Sequence, residues 1–472
     1  MKLLNYFPLA LLASFLLTSC GSNYLDINEN PNAATTPPID GLLANASTET
    51  ALNQFRVANG HTVNFTQYIA SPNISNTTDI FLDVSNGGAW SSLYDTMTDL
   101  YDLIRFGEAQ EAEGHVGIAK VLMAINLGLV ADNWGAAPYS DAFTGLTITP
   151  QYDSAEELYA TIFGLLDEAE ATLSNYDGTP GIRAGADFLY GATDGDSVAP
   201  WLRAISSLRA RYLNHLSETD RYNPSEVLTA VDAGFTSSDD NLSLDVFEVR
   251  NPWAQVALNN ENLFLGGWLS SYFVSALNGD IYGTFDPRLP LLTDTTATGD
   301  YRGTPNGAGR QSDGAGDASE SYLERGRGPA ADDAPLDIIT FAELKFIEAE
   351  AALAAGNDDR ASSAFRTGIR AHMSTVGVDS ASAEAYILEE YGDDGVSIDE
   401  IFREKYVALF LSPETWVDAR RYDYQYEGIE LPQGAVLDQF PTSLIYPNTE
   451  IDRNRENVPL DREMLDRIFW DR

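Results

Sequence analysis

Two segments without a clear helical pattern combine aromatic rings with amide and carboxylate side chains, which is the mixture that sugar binding requires. An aromatic face packs against the apolar C–H face of a pyranose, while Asn, Asp, Gln or Arg side chains hydrogen-bond its hydroxyls. The first segment, residues 71–89, is rich in Asn, Ser, Thr and Asp. Its candidate ligand-binding residues are Asn73, Asn76, Asp79 and Phe81.

The second segment is a loop-rich insert at about residues 240–337, with frequent turn residues and a Gly/Asp/Ser-rich run. A structureless run of this length inside a domain is unusual and is often functional. Its candidate ligand-binding residues are Trp253, Asn259, Asn260, Trp268, Tyr272 and Tyr282. Binding residues are commonly carried on loops that a rigid scaffold holds. Aromatic residues on such segments also pack into local clusters, so a structural role stays open for each.

Catalytic and metal-binding patterns are weak in this sequence. The histidines His61, His115, His215 and His372 are scattered, and no H-x-x-x-H or H-E-x-x-H pattern occurs. With 71 acidic residues, some carboxylates will lie at glycosidase spacing by chance, so their abundance carries no information. The sequence therefore predicts a protein that is not an enzyme and that uses no cofactor and no metal.

The single cysteine, Cys20, follows a short apolar stretch that begins after Lys2. That stretch is too short to be a stable membrane span and is typical of a signal peptide. The residues that end at Cys20 resemble a bacterial lipobox, in which the cysteine is acylated after cleavage. We therefore expect a signal peptide over residues 1–19, a lipidated Cys20 and an extended tether over residues 20–40, because acyl chains give firm anchoring.

The chain has 472 residues and is strongly acidic, with 28 Lys+Arg against 71 Asp+Glu and a net charge of −43. This charge argues against nucleic acid or an anionic membrane surface as the partner, since both require clustered positive charge. It also favours a neutral oligosaccharide over a polyanionic one. An apolar share of 44% is enough to form a core, so disorder is not expected. Abundant Asp with few Lys suggests adaptation to saline water.

Helical periodicity dominates the rest of the chain. Ten helices are predicted, over residues 40–56, 90–110, 114–132, 154–174, 199–217, 224–234, 340–355, 358–374, 397–411 and 413–421. Three starts match the capping box, at Ser154, Thr340 and Ser397, each with Glu three residues later. Asn223-Pro224 and Ser412-Pro413 place a cap residue before a proline at the first helical position.

The segment from Phe341 to Met373 has the small residues that paired helices need in order to approach closely. This spacing is typical of tetratricopeptide-like hairpins, although an alanine-rich hairpin of another fold looks similar. We therefore predict an all-α fold of tetratricopeptide-like helical pairs, an α-α superhelix, with one loop-rich insert.

Several segments, taken in chain order, match the motifs of one family. They are Tyr24–Asn32, Trp90–Tyr94, Asp132–Ser140, Trp201–Arg211, Asp286–Arg288, Phe341–Ala351, Glu414–Arg421 and Ile445–Asn454. Together they resemble the SusD/RagB family of Bacteroidetes nutrient-binding outer-membrane lipoproteins, from end to end of the mature chain. The departures are local: Ile445 stands where the family often has Arg, and Ser206 replaces the usual Asn.

The resemblance implies a single SusD-like helical body over residues 41–472 that carries a ligand site on its irregular inserts. It also implies a location at the outer membrane, facing the exterior, and a partner. That partner is a SusC-like TonB-dependent β-barrel, over which this chain sits as a lid. Family ligands are commonly oligosaccharides and in some members peptides.

Two sets of motif residues favour structural roles over ligand contact. Asp132, Trp134 and Tyr139 follow a very apolar helix whose terminal carbonyl groups need partners. Arginines on helix 199–217 could form bidentate pairs with Glu414 and Asp418, because the planar guanidinium matches a carboxylate. These arginines are Arg203, Arg209 and Arg211; an anion-binding cluster is the alternative.

The leading hypothesis is a lipid-anchored surface receptor that captures an oligosaccharide and delivers it to the barrel transporter. Ligand affinity that differs between open and closed states would drive lid closure. The alternatives are a peptide-binding receptor of the same family, a surface glycoside hydrolase, and a pure assembly module that binds protein partners through its helical face.

Overall fold

The computed structural model describes residues 38–191, 198–263, 266–311, 319–392 and 395–471. The predicted signal peptide, Cys20 and most of the predicted tether lie outside the described residues, so these expectations remain predictions. The text below concerns the unit Ile39–Arg472.

The described chain is predominantly helical, and each of the ten predicted helices is present within a few residues of its expected ends. These ten are α1 Ile39–Val57, α2 Gly87–Ala109, α3 Glu113–Trp134, α4 Ala155–Asn175, α5 Ala199–His215, α6 Pro224–Asp232, α10 Phe341–Ala354, α11 Asp358–Val376, α13 Ile398–Ala408 and α14 Glu414–Arg421. Five other helices of four or more residues were not predicted: α7 Pro252–Leu263, α8 Ser271–Leu277, α9 Leu289–Leu292, α12 Ser380–Tyr391 and α15 Asn448–Arg453. A three-residue helical turn, Val63–Phe65, was not predicted either. A π-helical turn, Ala58–Thr62, continues α1.

Helix α3 is the centre of the main core. Among the described residues it is the one helix long and apolar enough to cross a membrane, yet 89% of its apolar window is buried inside the fold. It packs against α2 and α4. A Cβ at Gly117 would lie 2.5 Å from the Leu173 side chain, and one at Gly128 would lie 2.3 Å from the Tyr212 hydroxyl. Glycine at these positions lets the neighbouring helices approach closely.

Helices α10 and α11 form a close pair, as the alanine-rich pattern predicts. Gly368 on α11 leaves room for the ring of Phe346 on α10, because a Cβ there would lie 3.0 Å from that ring. Phe346 and Phe365 meet edge to face at 6.2 Å within a second, smaller hydrophobic cluster. The prediction of an all-α fold built from helical pairs is confirmed.

The insert is more ordered than predicted. Strand β2 (Leu242–Leu244) pairs antiparallel with β4 (Leu336–Ile339) and closes its base, and β1 (Ile69–Ala70) pairs with β3 (Trp268–Leu269). The insert also contains α7, α8 and α9. Cap signals for two of them are present: the Asn251 side chain accepts a hydrogen bond from Trp253 N at 2.7 Å, and Ser270 caps α8. The insert is loop-rich, as predicted, but the three helices within it were not expected.

Two of the three predicted capping boxes form, at Ser154–Glu157 and at Ser397–Glu400. At the third, Thr340 accepts a hydrogen bond from Glu343 N, but the Glu343 carboxylate is bound by Arg211 instead of the cap backbone. A buried ion pair replaces the local hydrogen bond at this helix start.

Arginines on α5 do bind carboxylates, and one predicted partner is among them: Arg211 Nε forms an ion pair with Glu414 at 3.7 Å, although the bidentate pair is made with another carboxylate. Arg211 binds Glu343 through two hydrogen bonds of 2.6 Å, with Nε and Nη2 as donors. Arg203 pairs with Asp240, and Arg209 pairs with the exposed carboxylates of Asp167 and Glu170. The network is structural, because its charged groups bind each other inside the helical body.

The two predicted partners, Glu414 and Asp418, make their shortest contacts with other groups. Glu414 lies 2.5 Å from His215 Nε2, and Asp418 is bound by Lys405 and Arg421. Both carboxylates are buried, so the interior holds more than one interlocked charge pair.

The motif at the C-terminal end of α3 makes structural contacts, as expected. Asp132 accepts hydrogen bonds from Tyr159 at 2.5 Å and from the Trp470 indole at 3.1 Å. The fully buried Trp134 donates to Ser85 O, and the Tyr139 backbone N–H donates to Asp153. These contacts tie the end of α3 to the C-terminal segment.

Candidate functional site

An open cleft lies where the loop after α8 meets the start of α13 and the segment after α14. Its volume is about 210 Å³, and we name it the Tyr282 cleft. Its lining combines rings with polar groups: Tyr282, Asp399, Glu400, Arg403, Tyr422, Gln425, Tyr426 and Glu427. This is the mixture of aromatic and hydrogen-bonding side chains that sugar recognition needs.

Tyr282 is held in place from two sides. The Arg403 guanidinium lies over its ring, 3.6 Å from the centroid. The buried Tyr272 hydrogen-bonds its hydroxyl, and burial raises the pKa of Tyr282, so the phenol stays neutral. A partly exposed ring with fixed orientation is a suitable platform for a ligand, because little side-chain entropy is lost on binding.

Only part of the Arg403 guanidinium is bonded to other protein groups. Its Nη1 forms an ion pair with Glu390, and its guanidinium also lies 5.7 Å from the centre of the Tyr391 ring. Its Nε and Nη2 groups have no hydrogen-bond partner in the part of the chain that the structure describes. These groups are donors that a ligand hydroxyl can use.

The cleft continues into a larger one of about 460 Å³ through the shared residues Asp399, Tyr422 and Gln425. Tyr422 forms the ridge between them: its ring stacks on Phe402 at 4.4 Å, with an interplanar angle of 8°. Its hydroxyl donates to Asp399 at 2.7 Å. The two volumes together can receive an extended ligand.

A strained turn presents Gln425 to solvent. Asp423 and Tyr424 have φ values of 46° and 52°, in the left-handed region that ordinary residues avoid. Such residues typically cost about 1 to 3 kcal/mol each and often occur at functional sites. Stacking of Tyr424 on Phe440 at 4.2 Å and its hydrogen bond from Trp416 hold the turn.

The electrostatics of the Tyr282 cleft disfavour anionic ligands. Arg403 is the one basic residue of its lining, against the carboxylates of Asp399, Glu400 and Glu427. Within the described residues, no group of three or more His, Cys, Asp or Glu side chains is arranged to hold a metal ion. A neutral, hydroxyl-rich ligand fits this arrangement best.

The candidates in the first segment have varied surroundings. Asp79 is buried and accepts hydrogen bonds from Asn64, Ser71 N, Asn306 and Gly307 N, so it joins this loop to the insert. Phe81 is buried against Phe65 at 5.4 Å. Asn76 accepts from Thr78 N within a turn, while Asn73 is exposed. Asn73 alone among these four is well placed to contact solute.

The candidates in the second segment are mostly interior. Trp253 is buried against Phe55 at 4.8 Å, and Trp268 is fully buried with the Arg310 guanidinium 4.1 Å above its ring. Asn259 is exposed on α7 and accepts from Gln255. Tyr272 and Tyr282 are the two that the structure brings together, one behind the other.

Arg403, Tyr422 and Gln425 were missed by the sequence reasoning. Arg403 is one arginine among several on helices, with nothing local to distinguish it. The tyrosines at 422, 424 and 426, directly after α14, are an alternating pattern that could have indicated a non-helical aromatic segment. The cleft depends on contacts between segments more than 100 residues apart, which a single sequence does not display.

Comparisons with known proteins agree with this fold. A SusD-like family model, described as "starch-binding associating with outer membrane", matches residues 31–447. The chain belongs to this SusD-like family. A comparison with curated proteins gave no match.

Solved structures of other SusD homologues resemble this SusD-family chain along nearly its whole length. A chitin-binding SusD homologue from Flavobacterium johnsoniae is 19% identical, with a TM-score of 0.75 and coverage of 92% of this chain and 98% of its own. A homologue from Bacteroides fragilis is 21% identical, with a TM-score of 0.75 and coverage of 93% and 100%. A SusD/RagB protein from Bacteroides thetaiotaomicron is 21% identical, with a TM-score of 0.72 and coverage of 92% and 99%. At these identities the likeness establishes the fold.

Proposed function

We propose that this chain is a cell-surface lipoprotein that captures a neutral oligosaccharide in the Tyr282 cleft and delivers it to a SusC-like TonB-dependent transporter. The observation that carries this proposal is the Tyr282–Arg403 pair, in which a fixed aromatic ring lies beside unused guanidinium donors. Membership of a family described as starch-binding supports it. Capture by binding alone requires no catalytic group.

The first experiment is a titration of the soluble chain, without its first 20 residues, with maltohexaose and chitohexaose. Maltohexaose follows from the family description, and chitohexaose from the chitin-binding F. johnsoniae homologue. Calorimetry gives the affinity, and chromatography of the mixture reports any hydrolysis. Binding without released product supports capture, whereas product formation would support the hydrolase alternative.

The Tyr282→Ala variant locates the site. Loss of the packing between the aromatic ring and the sugar, and of the ordered Arg403, should weaken binding at least tenfold, which is about 1.4 kcal/mol. Tyr101→Ala is the matched control, since Tyr101 is another partly exposed tyrosine, packed on Phe143 at 5.8 Å outside the cleft. Equal affinities for both variants would place the glycan site elsewhere, with Asn73 on the first loop as the next position to change.

Anchoring and delivery are tested in the native membrane. Mass spectrometry of the mature protein should detect acyl chains on Cys20, and Cys20→Ser should release the chain into the soluble fraction. A β-barrel transporter should co-purify with the wild-type protein from gently solubilised membranes. If the barrel co-purifies but neither glycan nor peptide binds the soluble chain, the assembly-module alternative gains support.

A further inference from the structure

A second cavity, of about 340 Å³, lies between strand β4, which pairs with β2, helix α11 and the end of α13. It shares no lining residue with the Tyr282 cleft. We name it the Asp337 cavity after the β4 carboxylate on its wall. Its size falls within the range of small-molecule sites.

Asp337 is a carboxylate that has no counter-ion among the described residues. Its Oδ1 accepts a hydrogen bond from Ser243 at 2.5 Å, and its Oδ2 accepts none from the described residues. Burial raises the pKa of Asp337 to about 6, and the Ser243 hydrogen bond offsets only part of that rise. Near neutral pH the group is therefore mostly ionised but uncompensated, which is unfavourable unless a cation arrives.

His372 on α11 also lines this cavity and supplies a hydrogen-bond donor. Its Nδ1 accepts from Arg288 Nη1 at 3.2 Å, so the hydrogen of the neutral ring is on Nε2. Burial and the Arg288 charge lower its pKa to about 3, so the ring stays neutral at physiological pH. Nε2–H has no partner among the described residues and is available to a ligand oxygen.

The remaining walls define the body of a ligand. Leu292, Val376 and Phe410 provide apolar surface, and Phe410 is held rigid by stacking on Phe273 at 4.4 Å. The lining contains no Lys or Arg, which disfavours an anion. An adjoining cavity, which shares Ser238 and Asn241 with this one, adds the exposed carboxylates of Asp239 and Asp245.

We propose that the Asp337 cavity is a second binding site, specific for a compact hydroxylated amine of about one sugar ring. Its ammonium group would donate to Asp337 Oδ2, and one hydroxyl oxygen would accept from His372 Nε2–H. Its C–H face would pack against Phe410 and Leu292. This site is independent of oligosaccharide capture in the Tyr282 cleft, because the two cavities have separate linings.

The test uses glucosamine as the probe and glucose as its neutral counterpart, since the two differ by one ammonium-for-hydroxyl replacement. Ligand-observed NMR or calorimetry at pH 7 should show glucosamine binding at least tenfold more tightly than glucose. Asp337→Asn should abolish this preference, because it keeps the shape and removes the charge. Asp245→Asn removes the same charge from the outer cavity and should change the affinity less than threefold.

Two further variants locate the binding. Thr375→Trp at an exposed position of the lining should block the cavity and abolish glucosamine binding, while Tyr282→Ala should leave it unchanged. Equal affinity for glucosamine and glucose, a preference that survives Asp337→Asn, or full binding by a folded Thr375→Trp variant would each overturn the proposal. Circular dichroism and the melting temperature establish that each variant is folded.

Discussion

The buried charge network and the Tyr282 cleft are built from the same residue types but differ in how many polar groups are already bonded. In the network, Arg421 donates to Glu350, Asp418 and Ser217, and it is buried. In the cleft, Arg403 forms an ion pair with one carboxylate of the described chain, Glu390, and its Nε and Nη2 donors have no partner there. Residue type alone does not distinguish a structural arginine from a ligand-binding one. The distinction lies in how many of its guanidinium N–H groups are already hydrogen-bonded to the protein.

The largest effect should come from breaking the network. Arg211→Ala leaves the buried Glu343 without its bidentate partner, and we expect a loss of about 3 to 5 kcal/mol in the free energy of unfolding. Arg209→Ala on the same helix removes exposed ion pairs and should cost at most about 1 kcal/mol. Denaturant titration measures both, and similar losses would contradict the assignment of Arg211 to a buried network.

The Asp337→Asn substitution should raise the free energy of unfolding, whereas Arg211→Ala lowers it. The folded-state pKa of about 6 lies above the ordinary value of 3.8, so ionisation of Asp337 costs folding free energy at pH above 6. The variant should therefore be more stable than wild type by up to about 3 kcal/mol at pH 7.5. The difference should shrink as pH falls through 6 and vanish below 3.8.

Unfolding of both proteins at pH 7.5 and pH 3.5 measures this difference. A variant that is less stable than wild type at pH 7.5 would mean that Asp337 has a compensating partner in the folded state. Such a gain in stability is expected when a ligand-binding charge is removed, because functional residues often lower the free energy of unfolding.

Arg403→Lys sharpens the comparison at the cleft. Lysine keeps the positive charge and the Glu390 ion pair but loses the planar stack on Tyr282 and the extra donors. Glycan affinity should fall about three- to tenfold, or roughly 0.7 to 1.4 kcal/mol. The melting temperature should change little. A calorimetric titration that detects no weakening would remove Arg403 from the proposed site.

The elements that sequence reasoning found share a local cause. Capping residues such as Ser154 and Ser397 and the apolar repeat of α3 are properties of neighbouring residues, so the helices were predictable. The structure of the insert was harder to predict, because its strands pair with segments far away in the sequence, as Leu242 does with Ile339. Helix α7 carries a readable start at Asn251-Pro252, so that omission was avoidable.

The site was only partly predictable for the same reason. Tyr282 was found because an aromatic residue on a loop is a general signal, but Trp268 and Phe81 have the same signal and are buried. What distinguishes Tyr282 is Arg403 above its ring and Tyr272 behind it. Neither neighbour can be identified from spacing along the chain.

The smallest expected effect is that of salt on stability, which should differ between the exposed charges and the buried ones. The net charge of −43 lies mostly on exposed carboxylates, whose mutual repulsion destabilises the compact state in dilute buffer. At about 1 M NaCl the Debye length is only about 3 Å, so this repulsion is screened and the melting temperature should rise. The loss caused by Arg211→Ala should stay nearly constant over the same range, because a buried pair is screened far less. An unchanged or lower melting temperature would count against saline adaptation, and a salt-dependent Arg211→Ala loss would count against burial of the pair.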